Sequence, residues 1–211
     1  MRKLFAMVSF VLMSSAASAV SMDESAPDVL VNQTVQEVLD IVKKDSAVLT
    51  NETRLNELVD AKIVPHFNFA RMTKLAVGKA WRTATPEQQQ VLNSEFRTML
   101  VRTYTKVFTA YRDPKVTVKP VQVTPETKET TVKLLITISD GRTVKVEYEM
   151  ERAGLGWKVF DVTVEGISLV TSYRGSFGDE IQQNGVDGLV KKLTEMNHAA
   201  LVSSNKRAQV K

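Results

Sequence analysis

The sequence predicts an α+β fold: an antiparallel four-stranded curved sheet packed against several helices. Three observations lead there. Apolar residues recur at helical spacing through the first half, the period switches from 3.6 to 2 after Pro114, and strand patterns then follow one another with turn signals between them before a last helical pattern.

From Ser25 to Val48, residues Val31, Val35, Val38, Leu39 and Val42 share one face opposite Asn32, Gln36, Lys43 and Lys44, and Pro27 opens this first helix. A second helix starts at the Asn51 cap, carries Leu55, Leu58, Val59 and Ile63, and stops at Pro65. A short apolar segment with Phe67, Phe69, Met72, Leu75 and Val77 ends at Gly78, a helix C-cap. Thr85, Pro86 and Gln88 then form a capping box for a long helix reaching about Tyr111. Its stripe is Val91, Leu92, Phe96, Met99, Leu100, Tyr104, Val107, Phe108 and Tyr111, and Asp113-Pro114 ends it.

The first strand, Val116 to Val123, contains Pro120 and belongs at an edge. The second runs from Thr130 to Ser139, with Val132, Leu134, Ile136 and Ile138 on one face. Asp140-Gly141 predicts a two-residue type I′ turn into Thr143–Glu151, where Val144, Val146, Tyr148 and Met150 alternate with charged residues. Gly154-Leu155-Gly156 turns the chain into Trp157–Glu165. Ser168 caps a final helix from Leu169 to about Leu193, interrupted near Asn184-Gly185, and a polar tail is expected from Ser203 to Lys211.

Composition narrows the function classes. A chain of 211 residues with 43% hydrophobic and 25% charged residues has enough apolar side chains for a sizeable core and too many for global disorder. Arg2 and Lys3, the apolar run Leu4–Met13 and the small residues ending Ala17-Ser18-Ala19 read as a secretory signal peptide cleaved near Ala19. The mature domain is then residues 20–202. Removing the signal leaves 26 Lys and Arg against 24 Asp and Glu, which argues against nucleic acid as a partner. The absence of Cys excludes disulfides, thiolate metal sites and a lipidated cysteine, and fits export to a bacterial periplasm as a free monomer.

Catalytic signals are few. His66 and His198 are the only histidines and lie far from any metal-spaced carboxylates, so no metal site is expected. Gly154-Leu155-Gly156 lacks the following glycine and helix of a dinucleotide site. The best enzymatic candidate is Asp161, as a strand carboxylate acting as general base in a cone-shaped α+β enzyme, with Tyr104, Tyr148 or Tyr173 as oxyanion donor. The alternative for Asp161 is a structural pairing with a cation or a backbone donor.

Several strings carry a family resemblance. Phe67-Asn68-Phe69-Ala70-Arg71-Met72-Thr73, Ala76-Val77-Gly78-Lys79-Ala80-Trp81-Arg82 and Ala84-Thr85-Pro86-Glu87-Gln88-Gln89 resemble the MlaC family, the toluene-tolerance group of periplasmic phospholipid-binding proteins. Trp157-Lys158-Val159-Phe160-Asp161-Val162, Glu165-Gly166-Ile167-Ser168-Leu169-Val170, Ser172-Tyr173-Arg174 and Asp187-Gly188-Leu189-Val190 resemble the rest of its pattern. The resemblance implies a non-enzymatic carrier with phospholipid as cargo and no cofactor. Its implied partners are an inner-membrane ABC-transporter complex and an outer-membrane lipoprotein complex, and its implied role is to maintain outer-membrane lipid asymmetry. A periplasmic lipoprotein chaperone is a further alternative.

On that reading an apolar pocket lies between the layers, and the candidate walls of this acyl pocket are Phe67, Phe69, Met72, Phe96, Leu100, Tyr104, Val132, Leu134, Ile136, Val146, Tyr148, Met150, Phe160 and Val162. Arg82, Tyr173 and Arg174 are candidates for a head-group mouth, where a guanidinium would meet phosphate. Lys191, Lys192, Lys206, Arg207 and Lys211 are a solvated basic surface or a docking aid.

Overall fold

The computed structural model describes residues 26–110, 114–154 and 156–209, with side chains through residue 105 of the first range and residue 203 of the last. The expected signal peptide, residues 20–25, the expected helix end at Tyr111–Asp113, Leu155, Val210 and Lys211 lie outside the described residues, as do the side chains of Val107, Phe108, Lys206 and Arg207.

Helix α1 spans Pro27–Lys44 and begins at its proline, whose fixed φ suits the first helical turn. A 3-10 turn over Ser46–Thr50 leads to α2, Glu52–Lys62, capped by the Asn51 side chain, which accepts from the Arg54 amide at 3.1 Å. The chain passes Pro65 in a second 3-10 turn and enters α3, Phe69–Val77. Gly78 ends α3 at φ 67°, ψ −132°, a conformation open to glycine and costly for other residues. A third 3-10 turn, Gly78–Arg82, precedes α4, Pro86–Ala110. The predicted capping box forms: Gln88 Oε1 accepts from the Thr85 amide at 2.8 Å, and Thr85 Oγ1 accepts from the Gln88 amide at 3.2 Å.

The sheet is an antiparallel meander in the order β1-β2-β3-β4-β5: Lys115–Val118, Glu129–Thr137, Thr143–Ala153, Gly156–Val164 and Ile167–Ser168. The fifth strand, two residues long, goes beyond the four expected. β1 is shorter than predicted because Pro120 has no amide to donate, yet Val121 and Val123 still pack on the sheet.

Two turns differ from expectation. The amide of Ile138 pairs with the carbonyl of Arg142, enclosing a three-residue loop in which Gly141 alone has positive φ (86°). This is the pattern of a type I turn closed by a left-handed glycine, rather than the expected type I′. The pair of successive positive φ values that marks type I′ occurs at Glu165 (50°) and Gly166 (83°), between Val164 and Ile167. Glu165 tolerates the conformation with help from Lys145: its carboxylate accepts from the Lys145 amide, and its own amide donates to the Lys145 carbonyl at 2.9 Å.

Helix α5 spans Leu169–Gln209 and kinks at Gly185, near the predicted interruption. It continues to Gln209, into the stretch expected as a polar tail. Beyond Gly188 the sequence has no glycine or proline to end the helix, and Lys, Leu and Ala, all good helix formers, are among its commonest residues.

The helices do not all lie across one face of the sheet. Helices α3, α4 and α5 enclose their own core of Met72, Ala76, Leu92, Phe96, Met99, Leu100, Phe177, Leu189 and Leu193. The apolar sheet face forms a second core of Val132, Leu134, Val146, Met150, Trp157 and Val159, covered by Leu30 and Val31 of α1. The expected facing of the α4 stripe onto the sheet is therefore corrected: described residues Phe96, Met99 and Leu100 point into the helical core, and α1 is the helix over the sheet.

Two glycines test the helical layer with opposite signs. Gly78→Ala should destabilise the protein by about 1–3 kcal/mol, because a Cβ is strained at that φ and meets Arg174 Nε at 3.4 Å. Gly175→Ala, in α5 with no atom within 4 Å of the added Cβ, should stabilise it by up to about 1 kcal/mol. Urea unfolding followed by circular dichroism reads both.

Candidate functional site

The apolar face of the sheet is built by strand alternation. Cross-strand pairs Leu134 with Val146, Val132 with Tyr148, and Ile136 with Val144 set one row of side chains from β2 and β3 on the same side. Val146 and Tyr148 pair in turn with Val164 and Val162 of β4. On the β1 side, Val116 faces Ile136 and Val118 faces Leu134.

A register shift between Glu149 and Met150 then changes the parity of β4. Beyond it Met150 pairs with Val159, and Glu151 with Lys158. Trp157 and Val159 thereby join the apolar face, whereas Phe160 turns to the charged face, where the Arg71 guanidinium lies 3.6 Å from its ring centre. Arg71 is held there by Glu129 at 2.7 Å and by Glu151. Phe160 and Val162, both expected as pocket walls, lie on opposite faces.

Around the buried centre of this face lies a margin of half-buried apolar residues: Val35, Phe67, Val116, Val144, Tyr148 and Val162 among them. Of the expected walls, Val132, Leu134, Ile136, Val146, Tyr148, Met150 and Val162 come together here. Met72, Phe96, Leu100 and Tyr104 belong to the helical core, and Phe69 packs against it. Phe67 touches both cores, stacking on Phe69 at 5.6 Å and meeting Tyr148 edge-on at 6.4 Å.

Burial pushes the Tyr148 phenol above its ordinary pKa. Tyr104 is pushed up to about 12, by burial first and then by its interaction with Tyr173.

The three mouth candidates lie on the helical side, and none belongs to the sheet-face core. Tyr173 sits in an aromatic cluster, edge-on to Phe96 at 5.1 Å and 5.7 Å from Phe177. Arg174 is exposed and lies against Gly78 in a shallow groove of about 270 Å³ with Lys79 and Ile181. Arg82 is exposed at the end of the 3-10 turn that forms one wall of that groove. A second groove of about 190 Å³ runs past Tyr173, Phe177 and Met196. Both fall below the ~300–1,000 Å³ of ordinary small-molecule pockets.

Asp161 has a structural use. Its carboxylate accepts from Ser168 Oγ at 2.5 Å, from the Val170 amide at 3.1 Å and from the Val162 amide at 2.8 Å. Ser168 in turn accepts from the Thr171 amide at 2.9 Å as the cap of α5. Of the two readings of Asp161, the structure shows the backbone-donor one.

Sequence reasoning passed over Leu30, Val31, Val35, Val116, Val118, Val144, Trp157, Val159 and Val164 as members of the sheet-face core. The alternation in β1 and β3 carried the signal for Val116, Val118 and Val144. Nothing local signalled the parity change in β4.

Comparison with known proteins gives consistent results. The family profile described as "MlaC protein" matches residues 32–195. The toluene tolerance protein ttg2D of Pseudomonas putida is 31% identical over 125 residues, 56% of this chain and 58% of that protein, so the match spans little more than half of that relative. The intermembrane phospholipid transport system binding protein MlaC of Haemophilus influenzae is 20% identical over 92% of this chain and 93% of its own. Among solved structures, a phospholipid-binding protein from Ralstonia solanacearum in complex with a phospholipid aligns with a TM-score of 0.76 and 34% identity. That alignment covers 83% of this chain and 98% of the Ralstonia chain.

Two outcomes follow from the geometry. Asp161→Ala should cost about 1–3 kcal/mol in urea unfolding, because it strands the Val170 amide and loosens the start of α5. Tyr104 holds its proton more tightly folded than unfolded, so its contribution to stability is complete below about pH 10 and is lost as pH rises towards 12. In a spectrophotometric titration, Tyr104→Phe should remove one late-ionising phenol.

Proposed function

Because the chain belongs to the MlaC family, we propose that it is a soluble periplasmic phospholipid carrier. It receives and delivers glycerophospholipid between an inner-membrane ABC-transporter complex and an outer-membrane lipoprotein complex, and so maintains outer-membrane lipid asymmetry. Export by the N-terminal signal puts it in that compartment. No helix among the described residues is long and apolar enough to cross a membrane, as a shuttle between two membranes requires.

The observation that carries the reading is the apolar sheet face, whose half-buried margin adjoins the single helix α1. Each buried methylene of a lipid is worth about 0.8 kcal/mol, so exposing a sixteen-carbon chain to water costs roughly 12 kcal/mol. A carrier must enclose most of each chain. Shallow grooves on the helical side do not offer this, whereas a broad face of Val, Ile and Leu covered by α1 is the surface large enough to do so. The acyl site is therefore assigned to Val132, Leu134, Ile136, Val144, Val146, Tyr148, Met150, Val162 and Val164, with Phe67 at the boundary of the two cores. Arg82 and Arg174 remain candidates for phosphate contact outside the acyl site. The phospholipid bound to the Ralstonia relative supports the same ligand class.

Native mass spectrometry of gently purified mature protein should show a stoichiometric phospholipid adduct. Val162→Asp and Ile136→Asp, at half-buried positions, should lower occupancy tenfold or more while unfolding remains cooperative, and Val91→Asp on the exposed side of α4 should leave it unchanged. Protein that stays empty after incubation with phospholipid vesicles would refute the carrier reading. A stable complex with acylated protein instead would favour a lipoprotein chaperone.

A further inference from the structure

Where β2 begins and β3 ends, strand alternation sorts the charges by sign. Glu129 pairs with Glu151 on the face where Arg71 binds both carboxylates. One residue further along, the Arg152 amide donates to the Lys128 carbonyl at 2.8 Å, which extends the ladder by a rung. Side chains change face at every step, so Lys128 and Arg152 fall on the apolar side, beyond the pair of Thr130 and Met150. Of the β3 residues on that side, from Val144 to Arg152, Arg152 alone is charged.

Arg152 is held in place by neutral groups. Its Nε donates to the Thr127 carbonyl at 3.2 Å and its Nη2 to the Thr124 carbonyl at 3.5 Å. The guanidinium lies 4.8 Å from the ring centre of its cross-strand partner Trp157, a buried member of the sheet-face core. Among the described residues neither Arg152 nor Lys128 is ion-paired, and both are exposed. The acids next to them in sequence are engaged elsewhere: Glu129 and Glu151 by Arg71 on the opposite face, and Glu126 by Thr124 in the turn. A guanidinium oriented by two carbonyls and an aromatic ring, with Nη1 left over and an ammonium as its neighbour, suits the oxygens of a phosphate.

We propose that Arg152 and Lys128 form the phosphate subsite of the lipid site, binding the phosphodiester of a glycerophospholipid whose acyl chains lie along the sheet face towards Val144. The assignment rests on the carrier reading above and adds which end of the face takes the headgroup. The dimensions agree. From Met150 to Val144 the apolar row of β3 covers roughly 20 Å at ~3.3 Å per residue, and one acyl layer occupies about half of the ~30 Å hydrocarbon core of a bilayer. At the other end of the β2–β3 hairpin, Arg142 is neutralised by Asp140, so the cations free to meet a phosphate stand at one end. Arg82 and Arg174 lie on the helical side, outside the sheet-face core, whereas Arg152 is continuous with the row on which the chains rest.

The test crosses a protein change with a ligand change. Mature protein, Arg152→Gln, Lys128→Gln and the double variant are each incubated with vesicles of equal phosphatidylglycerol and digalactosyldiacylglycerol, a sugar lipid without phosphate, carrying the same acyl chains. Bound lipid is counted by native mass spectrometry. The unaltered protein should favour phosphatidylglycerol by roughly tenfold or more, as charge-assisted hydrogen bonds to a phosphate predict. In the double variant that preference should fall about tenfold, through weaker phosphatidylglycerol binding with the sugar lipid bound as before, and each single variant should fall between. Uptake of the sugar lipid shows that a variant keeps a folded site, and Lys128→Gln, at an exposed side chain, carries the test if the loss of the Arg152 contacts disturbs the sheet end. Lys133→Gln, on the charged face beside Glu147, should leave the preference unchanged. Glycerol phosphate alone should form no adduct; an adduct that the double variant loses would mark a site for free phosphate esters and overturn the headgroup assignment. An unchanged preference in the double variant, or none in the unaltered protein, overturns it while leaving the carrier reading intact, and a double variant impaired only in lipid delivery would assign the pair to an acidic protein partner instead. Failure of the unaltered protein to take up either lipid overturns both.

Discussion

The joint at Phe67-Asn68 fastens strand β4 to the helical layer, and the arrangement of the rest follows from it. At Phe67-Asn68 the backbone pairs with Val159 as a short parallel bridge, the Asn68 amide donating to the Val159 carbonyl at 2.8 Å. The Asn68 side chain caps α3 by accepting from the Arg71 amide at 3.0 Å and also donates to Glu151 at 2.7 Å. Arg71, one turn on, reaches Glu151 and Glu129 and lies over Phe160. These charges are partly withdrawn from water, where losing one partner costs more than the pair itself contributes. Two residues beyond Val159 on the same strand, Asp161 ties the start of α5 to β4.

This double attachment lets the two cores differ. The helical core is filled with large interlocking side chains: Phe96 meets both Tyr173 and Phe177 at 5.1 Å, and buried Asn197 links α5 to α4 by donating to the Glu95 carbonyl at 2.8 Å and accepting from Arg102 at 2.7 Å. Close packing of this kind supplies rigidity and leaves little to give up to a ligand. The sheet-face core is made mainly of short branched side chains under one helix. Regions with fewer buried contacts open at lower cost, and a site that must admit and release a large apolar cargo belongs at that end of the scale. In the proposed carrier, stability and cargo exchange are thus assigned to different cores joined at Phe67.

The same division explains which site residues were legible. The alternation of Val132, Leu134 and Ile136 against Val144, Val146 and Tyr148 is a local property, and it predicts a shared face whatever covers that face. The stripe of Phe96, Leu100 and Tyr104 predicts a buried helix face equally well, but amphipathicity does not name the partner. Three helices satisfied that stripe among themselves. Phe160 was misplaced because period-2 alternation was carried through the register shift at Glu149–Met150, where one added residue exchanges the two faces.

Local chemistry fixed much of this protein before any long-range contact forms. Pro27, Asn51 and the Thr85–Gln88 capping box start helices, Gly78 and Gly185 stop or bend them, and the change of period after Pro114 separates helical from strand-forming chain. The strings shared with the MlaC family supplied the functional class. Tertiary structure decided what depends on residues far apart in sequence: that α1 rather than α4 covers the sheet, that Asp161 anchors α5, that Arg82 and Arg174 lie away from the sheet face, and that Phe160 turns to the charged face beside Arg71. Propensities, caps and periodicities act over a few residues, whereas the partner of a buried face is chosen by packing across the whole chain.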